Sequence, residues 1–295
     1  MELFNKKLGV FVTPNCNIQC AHCMCTDVQF PGLAKSETQN VINILKDLNA
    51  DTVHLTGGEP TLNLSTIHCL VKSILRELPN INFEITTNAW FSNSFDSCYK
   101  VIGNIPNLKK VIVSYDKYHA RFINIDNVKN LVLYCNDKDI NISLISTIAS
   151  PEDLADNYKY EKEFDVEFEF QRTLPIGNAK KNHLDYKYYS FESEVLNKKC
   201  PRLSYLVYLP SYGVTHCCSS LLHCGFSSMN NRIIKKNVKQ YIKSRFFNLL
   251  NRYNFNELIA MLGIRPNELS ADCSSICQLC LNIIPPLLLD SDKRH

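Results

Sequence analysis

A chain of 295 residues, 45% of them hydrophobic, is long enough to bury a large core and sits at the upper end for one domain, so a main domain with a smaller companion is expected. Its 32 basic and 29 acidic side chains leave a formal charge of +3, too weak a field to hold nucleic acid, and no apolar run reads as a signal peptide or a membrane span. A cytoplasmic protein with no nucleic-acid or membrane partner is expected, and in a reducing compartment its 14 cysteines argue for metal, iron–sulfur or catalytic thiols rather than a disulfide framework.

In chain order, the first two thirds alternate strand-like runs with helical patterns. Residues 8–13, 52–57, 82–87, 110–115, 141–147 and 166–171 read as strands. Between the first two, Ser36 is placed to cap a helix and Gln39 to close its box, with Val41, Leu45 and Leu48 along one face. Ser65 leads a second helix carrying Leu70, Val71, Ile74, Leu75 and Leu78. Strands separated by helical crossovers predict a parallel sheet of the α/β class, with ligands at the carboxyl ends of its strands. Cys69, Cys98 and Cys135 stand alone inside apolar or periodic segments and read as small buried hydrophobes.

The loops that follow these strands carry the unusual chemistry. "CNIQCAHCMC" follows the first and holds Cys16, Cys20 and Cys23 at C-x3-C-x2-C spacing, with Cys25 just beyond. Three thiolates on one loop suit an iron–sulfur cluster with one iron left open, whereas a structural zinc needs a fourth ligand, for which Cys25 and His22 are the candidates. "GGEP" follows the second strand: Gly57 and Gly58 bring backbone close to a ligand, Glu59 sets a carboxylate beside them, and Pro60 closes the turn, a place to hold an amine. Asn88 follows the third strand. Ser114, Asp116 and His119 lie at the end of the fourth, the last two placed for acid–base work or substrate contact. Arg172 opens "RTLPIGNA" after the sixth and is placed to pair with a carboxylate.

Beyond residue 180 the alternation ends. Residues 205–210 and 213–218 read as two strands around a turn, Arg232 to Arg252 as one basic amphipathic helix, and 255–262 as a shorter one. Two further groups of thiols lie here: Cys200, Cys217, Cys218 and Cys224, then Cys273, Cys277 and Cys280.

"CNIQCAHC" followed by "GGEP" resembles the cysteine and amine-binding motifs of the radical S-adenosylmethionine (SAM) enzymes. The resemblance implies a partial (β/α)6 TIM-like barrel, a [4Fe–4S] cluster on Cys16, Cys20 and Cys23, and SAM on its open iron. Gly57, Gly58, Glu59 and Pro60 would then meet the SAM amine, Asn88 and Ser114 its ribose and carboxylate, and Arg172 a carboxylate of SAM or of substrate. The later cysteines resemble the small α+β extension of the SPASM and twitch subfamily. That likeness implies one auxiliary [4Fe–4S] cluster on Cys200, Cys218, Cys277 and Cys280, with Cys217 and Cys273 as alternative ligands. The implied domains are 1–180 for the barrel and 181–295 for the extension.

The function so implied is reductive cleavage of SAM to a 5′-deoxyadenosyl radical that takes hydrogen from a substrate, with a low-potential electron donor such as flavodoxin or ferredoxin. A ribosomally made peptide, crosslinked or epimerised, is the leading substrate. A dehydrogenase for a small-molecule alcohol or thiol and a noncatalytic Fe–S or zinc scaffold are the alternatives. The first strand begins near residue 8, with no separate leader-binding domain ahead of it, which weighs against a peptide without removing it. A thiol facing the cavity is suited to return a hydrogen atom to a carbon radical, with Cys224 the first candidate and Cys217 the second.

Overall fold

The computed structural model describes residues 3–27, 30–218, 220–223 and 229–289. Every expected strand forms. β1 (Lys7–Phe11), β2 (Thr52–Thr56), β3 (Asn82–Thr87), β4 (Leu108–Ser114), β5 (Asn141–Ile148) and β6 (Glu167–Arg172) are joined by β7 (Leu206–Leu209) and β8 (Gly213–Thr215) in one sheet of order β6-β5-β4-β3-β2-β1-β7-β8. Neighbours run parallel from β6 through to β7, and β7 and β8 form an antiparallel hairpin. The crossovers carry α1 (Thr38–Leu48), α2 (Leu64–Glu77), α3 (Phe95–Cys98, continued by a π turn over Tyr99–Gly103), α4 (Ile125–Asp137) and α5 (Asp153–Phe164). This is a parallel core resembling a partial (β/α) barrel. A C-terminal extension of helices and two strands is added to it.

The extension opens with α6 (Asn178–Lys181) and continues after the hairpin through α7 (Ser220–His223), α8 (Asn230–Ile233), α9 (Val238–Ile242), α10 (Arg245–Arg252), α11 (Phe255–Met261) and α12 (Ile276–Leu289). Its hairpin is continuous with the barrel, because β7 pairs with β1 in the register Leu8↔Leu206, Gly9↔Val207 and Val10↔Tyr208. No helix among the described residues is long and apolar enough to cross a membrane, and α12, the most apolar, contains Pro285 and Pro286.

The strands alternate because the two faces of the sheet meet different surroundings. Val53, Leu55, Phe83, Ile85, Val111 and Val113 are fully buried on the helix-covered face, where each large aliphatic or aromatic side chain contributes about 2 kcal/mol. The opposite parity is polar. Lys7 Nζ pairs with Glu84 at 2.7 Å, and His54 bonds the Tyr205 hydroxyl through Nδ1 at 2.8 Å and Thr86 Oγ1 through Nε2 at 2.7 Å. A parallel sheet with a polar inner face leaves a hollow rather than a filled barrel, and that hollow is the site described below.

Two local expectations are corrected. Ser36 does not cap α1: a 3-10 turn over Lys35–Glu37 precedes the helix, and Glu37, not Gln39, closes it by accepting from the Ala34 amide at 3.1 Å. The same carboxylate accepts from the Tyr208 hydroxyl at 2.9 Å, so it also ties the helix start to β7. The basic run from Arg232 to Arg252 is three short helices rather than one. The Asn237 side chain caps α9 and that of Ser244 caps α10, each interrupting the helix before it.

Candidate active site

The site is built where β1 ends. The Val12 amide donates to Thr56 O at 2.7 Å and prolongs the sheet by one bond; beyond it the chain folds over the strand ends as the cysteine loop. The "GGEP" turn is locked to that loop, with Gly58 N–H donating to Thr13 O at 2.7 Å and Glu59 N–H to Asn15 O at 2.8 Å. These amides are therefore spent on the cysteine loop rather than offered to a ligand. A Cβ on Gly58 would lie 2.6 Å from Pro14 O, so glycine here is what lets the two loops touch.

Glu59 is 1% exposed and anchors the next strand end. Its Oε1 accepts from Thr61 N at 3.1 Å, Thr61 Oγ1 at 2.6 Å and Thr87 Oγ1 at 3.0 Å, and its Oε2 from Asn88 N at 2.8 Å. Burial pushes its pKa above the usual carboxylate value against the pull of these bonds. Asn88 in turn donates to Asn17 Oδ1 at 2.9 Å and reaches Cys16 Sγ at 3.8 Å. Pro60 starts the 3-10 turn that follows Glu59 and is itself buried.

A cavity of about 210 Å³ opens among these loops. Cys16, Cys20, Cys23 and Cys25 line it together with Gly57, Gly58, Glu59, Asn88, Ser114, His119 and Arg172. Cys16 is exposed, Cys20 is buried and Cys23 lies between. The Cys16 thiol, partly covered at the cavity wall, is pushed up in pKa first by that burial, with Glu59, Cys20 and Cys23 adding to it. A hydrogen bond with the Cys23 thiol, together with burial, drives the free Cys25 thiol well above the ordinary value. Arg172 is partly committed, its guanidinium 4.6 Å over the Tyr186 ring and 3.1 Å from the Tyr188 hydroxyl.

Asp116 and His119 are not loose at the mouth. They are 1% and 8% exposed, behind the cysteine loop. Asp116 Oδ1 accepts from Tyr118 N at 2.9 Å, His119 N at 3.0 Å and His119 Nδ1 at 2.9 Å, while Oδ2 accepts from Thr147 N at 3.1 Å and lies 3.7 Å from His22 Nε2. Burial alone would raise the Asp116 pKa; the His119 bond and the two histidine charges overcome it and hold it at about 2. His119 lines the cavity together with Cys20. Its pKa stands at about 10 because Asp116, and then Cys20, outweigh its burial. His22, buried beside both, falls to about 4. The donor atoms of His22, Asp116 and His119 lie within 4.8 Å of one another, and those of the last two are already committed to hydrogen bonds.

A second set of thiols converges elsewhere. Cys200, Cys217, Cys218, Cys277 and Cys280 line one pocket of about 40 Å³, with His216 and Arg202 at its wall. Burial pushes the Cys200 thiol up to about 12 and raises those of Cys218 and Cys280, so five sulfurs share a space that does not favour free thiolates. This donor set suits a metal cluster, which supplies the positive charge that burial withholds. Cys273 stands apart, bonded to Ser270 Oγ at 3.7 Å and Asn282 Nδ2 at 3.4 Å. Cys217 and Cys218 both reach the pocket. Cys224 lies outside the described residues.

Sequence reasoning missed a clamp. At the β6–α6 junction, Asn178 N–H donates to Cys23 O at 2.9 Å, Asn178 Nδ2 to Cys20 O at 3.2 Å and Asn182 Nδ2 to Ala21 O at 3.0 Å. Gly177, at φ +56°, sits where a Cβ would meet Cys23 O at 2.6 Å. The sequence signal for it is the glycine and asparagine of "PIGNA", residue types that suit a close backbone approach after a strand.

Comparison with known proteins agrees with this geometry. Residues 6–116, which include the first cysteine loop, match the family described as a 4Fe-4S single cluster domain. YydG of Bacillus subtilis (strain 168), named for peptide biosynthesis, is 24% identical over 298 residues, covering 94% of this chain and 92% of that protein. The GTP 3′,8-cyclase of Listeria welshimeri serovar 6b is 28% identical over 204 residues, 61% of this chain and 59% of the cyclase, so the match spans well under two thirds of that enzyme. Among solved structures, methylornithine synthase (PylB) superposes with a TM-score of 0.56 at 11% identity, over 90% of this chain and 85% of that one. Native anSMEcpe with bound AdoMet and Cp18Cys peptide gives 0.54 at 15%, over 98% and 99%, and BtrN in complex with AdoMet and 2-DOIA gives 0.52 at 14%, over 88% and 91%. At these identities the structures share a fold.

Proposed function

We propose that this chain, whose fold resembles radical-SAM folds with a SPASM-type C-terminal extension, cleaves SAM reductively and takes hydrogen from a ribosomally made peptide, leaving a crosslink or an inverted centre. The observation that carries the reading is the meeting of Cys16, Cys20 and Cys23 with the "GGEP" turn around one cavity at the strand ends. When bound there, a [4Fe–4S] cluster with SAM supplies the one-electron chemistry that yields a 5′-deoxyadenosyl radical.

The chain's own residues hold and shield. Cys16, Cys20 and Cys23 are the ligands, and Glu59, Asn88, Ser114 and Arg172 surround the space beside them, suited to the amine, ribose and carboxylate of SAM. We take 1–180 as the barrel and 181–295 as the extension that brings Cys200, Cys277 and Cys280, with Cys217 or Cys218, around an auxiliary cluster. A flavodoxin or ferredoxin is the electron source in this reading, and Cys224 or Cys217 is the hydrogen donor to an inverted centre.

Two facts favour a peptide over a small metabolite. The full-length relative is named for peptide biosynthesis. β6 is an outer strand of the sheet, and its exposed Gln171 and Arg172 line the cavity, so the hollow reaches an open edge of the sheet, which suits an extended chain better than an enclosed metabolite.

The test is anaerobic. Protein reconstituted with iron and sulfide, then given SAM and a low-potential reductant, is expected to release 5′-deoxyadenosine; an intact cluster that releases none defeats the proposal. In deuterated water, short peptides encoded beside the gene are expected to gain one deuterium at an inverted α-carbon or to lose two hydrogens in a crosslink. Turnover of small alcohols or thiols in place of any such peptide would establish the dehydrogenase reading instead.

A further inference from the structure

Resting on that reading, we propose that the substrate peptide docks on the outer edge of β6, adding to the sheet as a further extended strand that ends at the cavity.

The backbone shows what that edge offers. β6 pairs with β5 on one side, and the bond from Thr173 N–H to Ile148 O at 2.8 Å fixes which residues face inward. Backbone groups alternate along a strand, so Glu167, Glu169 and Gln171 turn theirs to β5, and Phe168, Phe170 and Arg172 turn N–H and C=O outward. Among the described residues, none of these outward groups has a hydrogen-bond partner. The opposite end of the sheet is closed, because Val214 on β8 exchanges two backbone bonds with Lys235, at 2.7 and 3.0 Å. An unpaired edge is a template for another strand, and proteins commonly blunt one with proline, a bulge or a covering segment. β6 contains no proline and keeps an unbroken register with β5.

The side chains along the edge suit a peptide. Phe168 and Phe170 lie on the outer face in register with Leu144 and Ser146, their rings stacked 5.3 Å apart, and Phe170 is 42% exposed. They form an apolar platform. Glu169 and Gln171 lie on the other face, in register with Ile145 and Thr147, which line the cavity. Glu169 is exposed and has no ion-pair partner among the described residues, unlike Glu167, which pairs with Lys110 at 3.4 Å. An extended chain with apolar side chains at alternate positions and a lysine or arginine between them complements both faces. A small alcohol or thiol has no use for a row of amides and carbonyls. Because Gln171 and Arg172 line the cavity, a strand laid along this edge ends at the cavity wall.

The test reads binding and not turnover. Short peptides encoded beside the gene, carrying a fluorescent label, are titrated by anisotropy against anaerobically reconstituted protein with SAM. In a peptide that binds, single backbone N-methyl groups are expected to weaken binding about tenfold at every second residue of one stretch and to be tolerated between, because alternate amides of an added strand meet the sheet. Phe170→Pro removes an outward N–H that the sheet itself does not use, and is expected to bind about tenfold more weakly than Phe170→Leu. Glu169→Lys should weaken binding as well.

No binding by any of these peptides, an N-methyl scan without the two-residue period, or a Phe170→Pro protein that binds as well as Phe170→Leu overturns the proposal. Should the proline variant fail to fold, Glu169→Lys decides beside the scan: weakened binding supports the docking edge, and unchanged binding overturns it. The preceding reading fails separately, when reconstituted protein releases no 5′-deoxyadenosine although a peptide binds with the two-residue period. Release of 5′-deoxyadenosine without that period leaves it standing and removes this one.

Discussion

Glu59 answers four donors from two loops, and removing its carboxylate leaves Thr61, Thr87 and Asn88 groups without an acceptor in a place water does not reach. Glu59→Ala is expected to cost about 3 kcal/mol in urea unfolding. It should also free the Asn88 end of β3, so that SAM binding weakens more than stability alone predicts; calorimetric titration of the reconstituted protein separates the two. His54 makes a different prediction. Burial first, then the charges of Lys7, Arg202 and Lys110, lower its pKa from 6.5 to about 4. The unfolded chain therefore binds the proton more tightly, and this contribution to stability is complete above pH 6.5 and is lost as pH falls from 6.5 toward 4. His54→Gln should flatten that part of the stability profile, measured as urea midpoints at pH 7 and pH 5. The cysteine triplet was legible at this scale because its spacing is local. The bond from Asn178 to the Cys20 carbonyl was not, since two strand ends far apart in the chain bring it about, and no local pattern marks it.

Elements were legible where a physical period governs them. The alternation that marks β2, β3 and β4 exists because one face lies under helices and the other faces a polar hollow, so apolar and polar residues take turns. The basic run after Arg232 misled because its apolar spacing suits one helix, while the breaks come from single side chains, Asn237 and Ser244, folding back on their own backbone. Ser244→Ala should therefore cost about 1 kcal/mol, seen as a lower melting temperature. The junction of β6 and α6 acts on the cysteine loop by contact rather than chemistry. Gly177→Ala has to push Cys23 and Met24 outward. Iron bound per chain at the first site is expected to fall in that variant while far-ultraviolet dichroism is unchanged; full loading would show that the loop shapes itself without the clamp.

Across the whole molecule, the sulfurs sort into two places and a remainder. Cys277→Ala removes a sulfur from the second pocket and should lower total iron by the content of one cluster, whereas Cys273→Ala, which changes a thiol held by Ser270 and Asn282, should leave iron unchanged. Equal losses in both would mean that the pocket rearranges on loading. The sequence pointed to a C-terminal module but not to where it attaches, because strand order is decided by which edge is vacant and not by any residue of the strand itself. β7 took the free side of β1.

That attachment bears on how charge could travel. β1 leads from its carboxyl end into the first cysteine loop, and the β7–β8 hairpin turns back, with Thr215 opposite Val207, toward the amino end of β1 before it reaches Cys217 and Cys218, so the two groups of sulfurs leave opposite ends of the same set of paired strands. Electron tunnelling fades steeply with distance, and here the gap is set by peptide hydrogen bonds that do not slide. Every copy of the molecule then presents the same wire length, whatever the substrate does at the open side of the sheet.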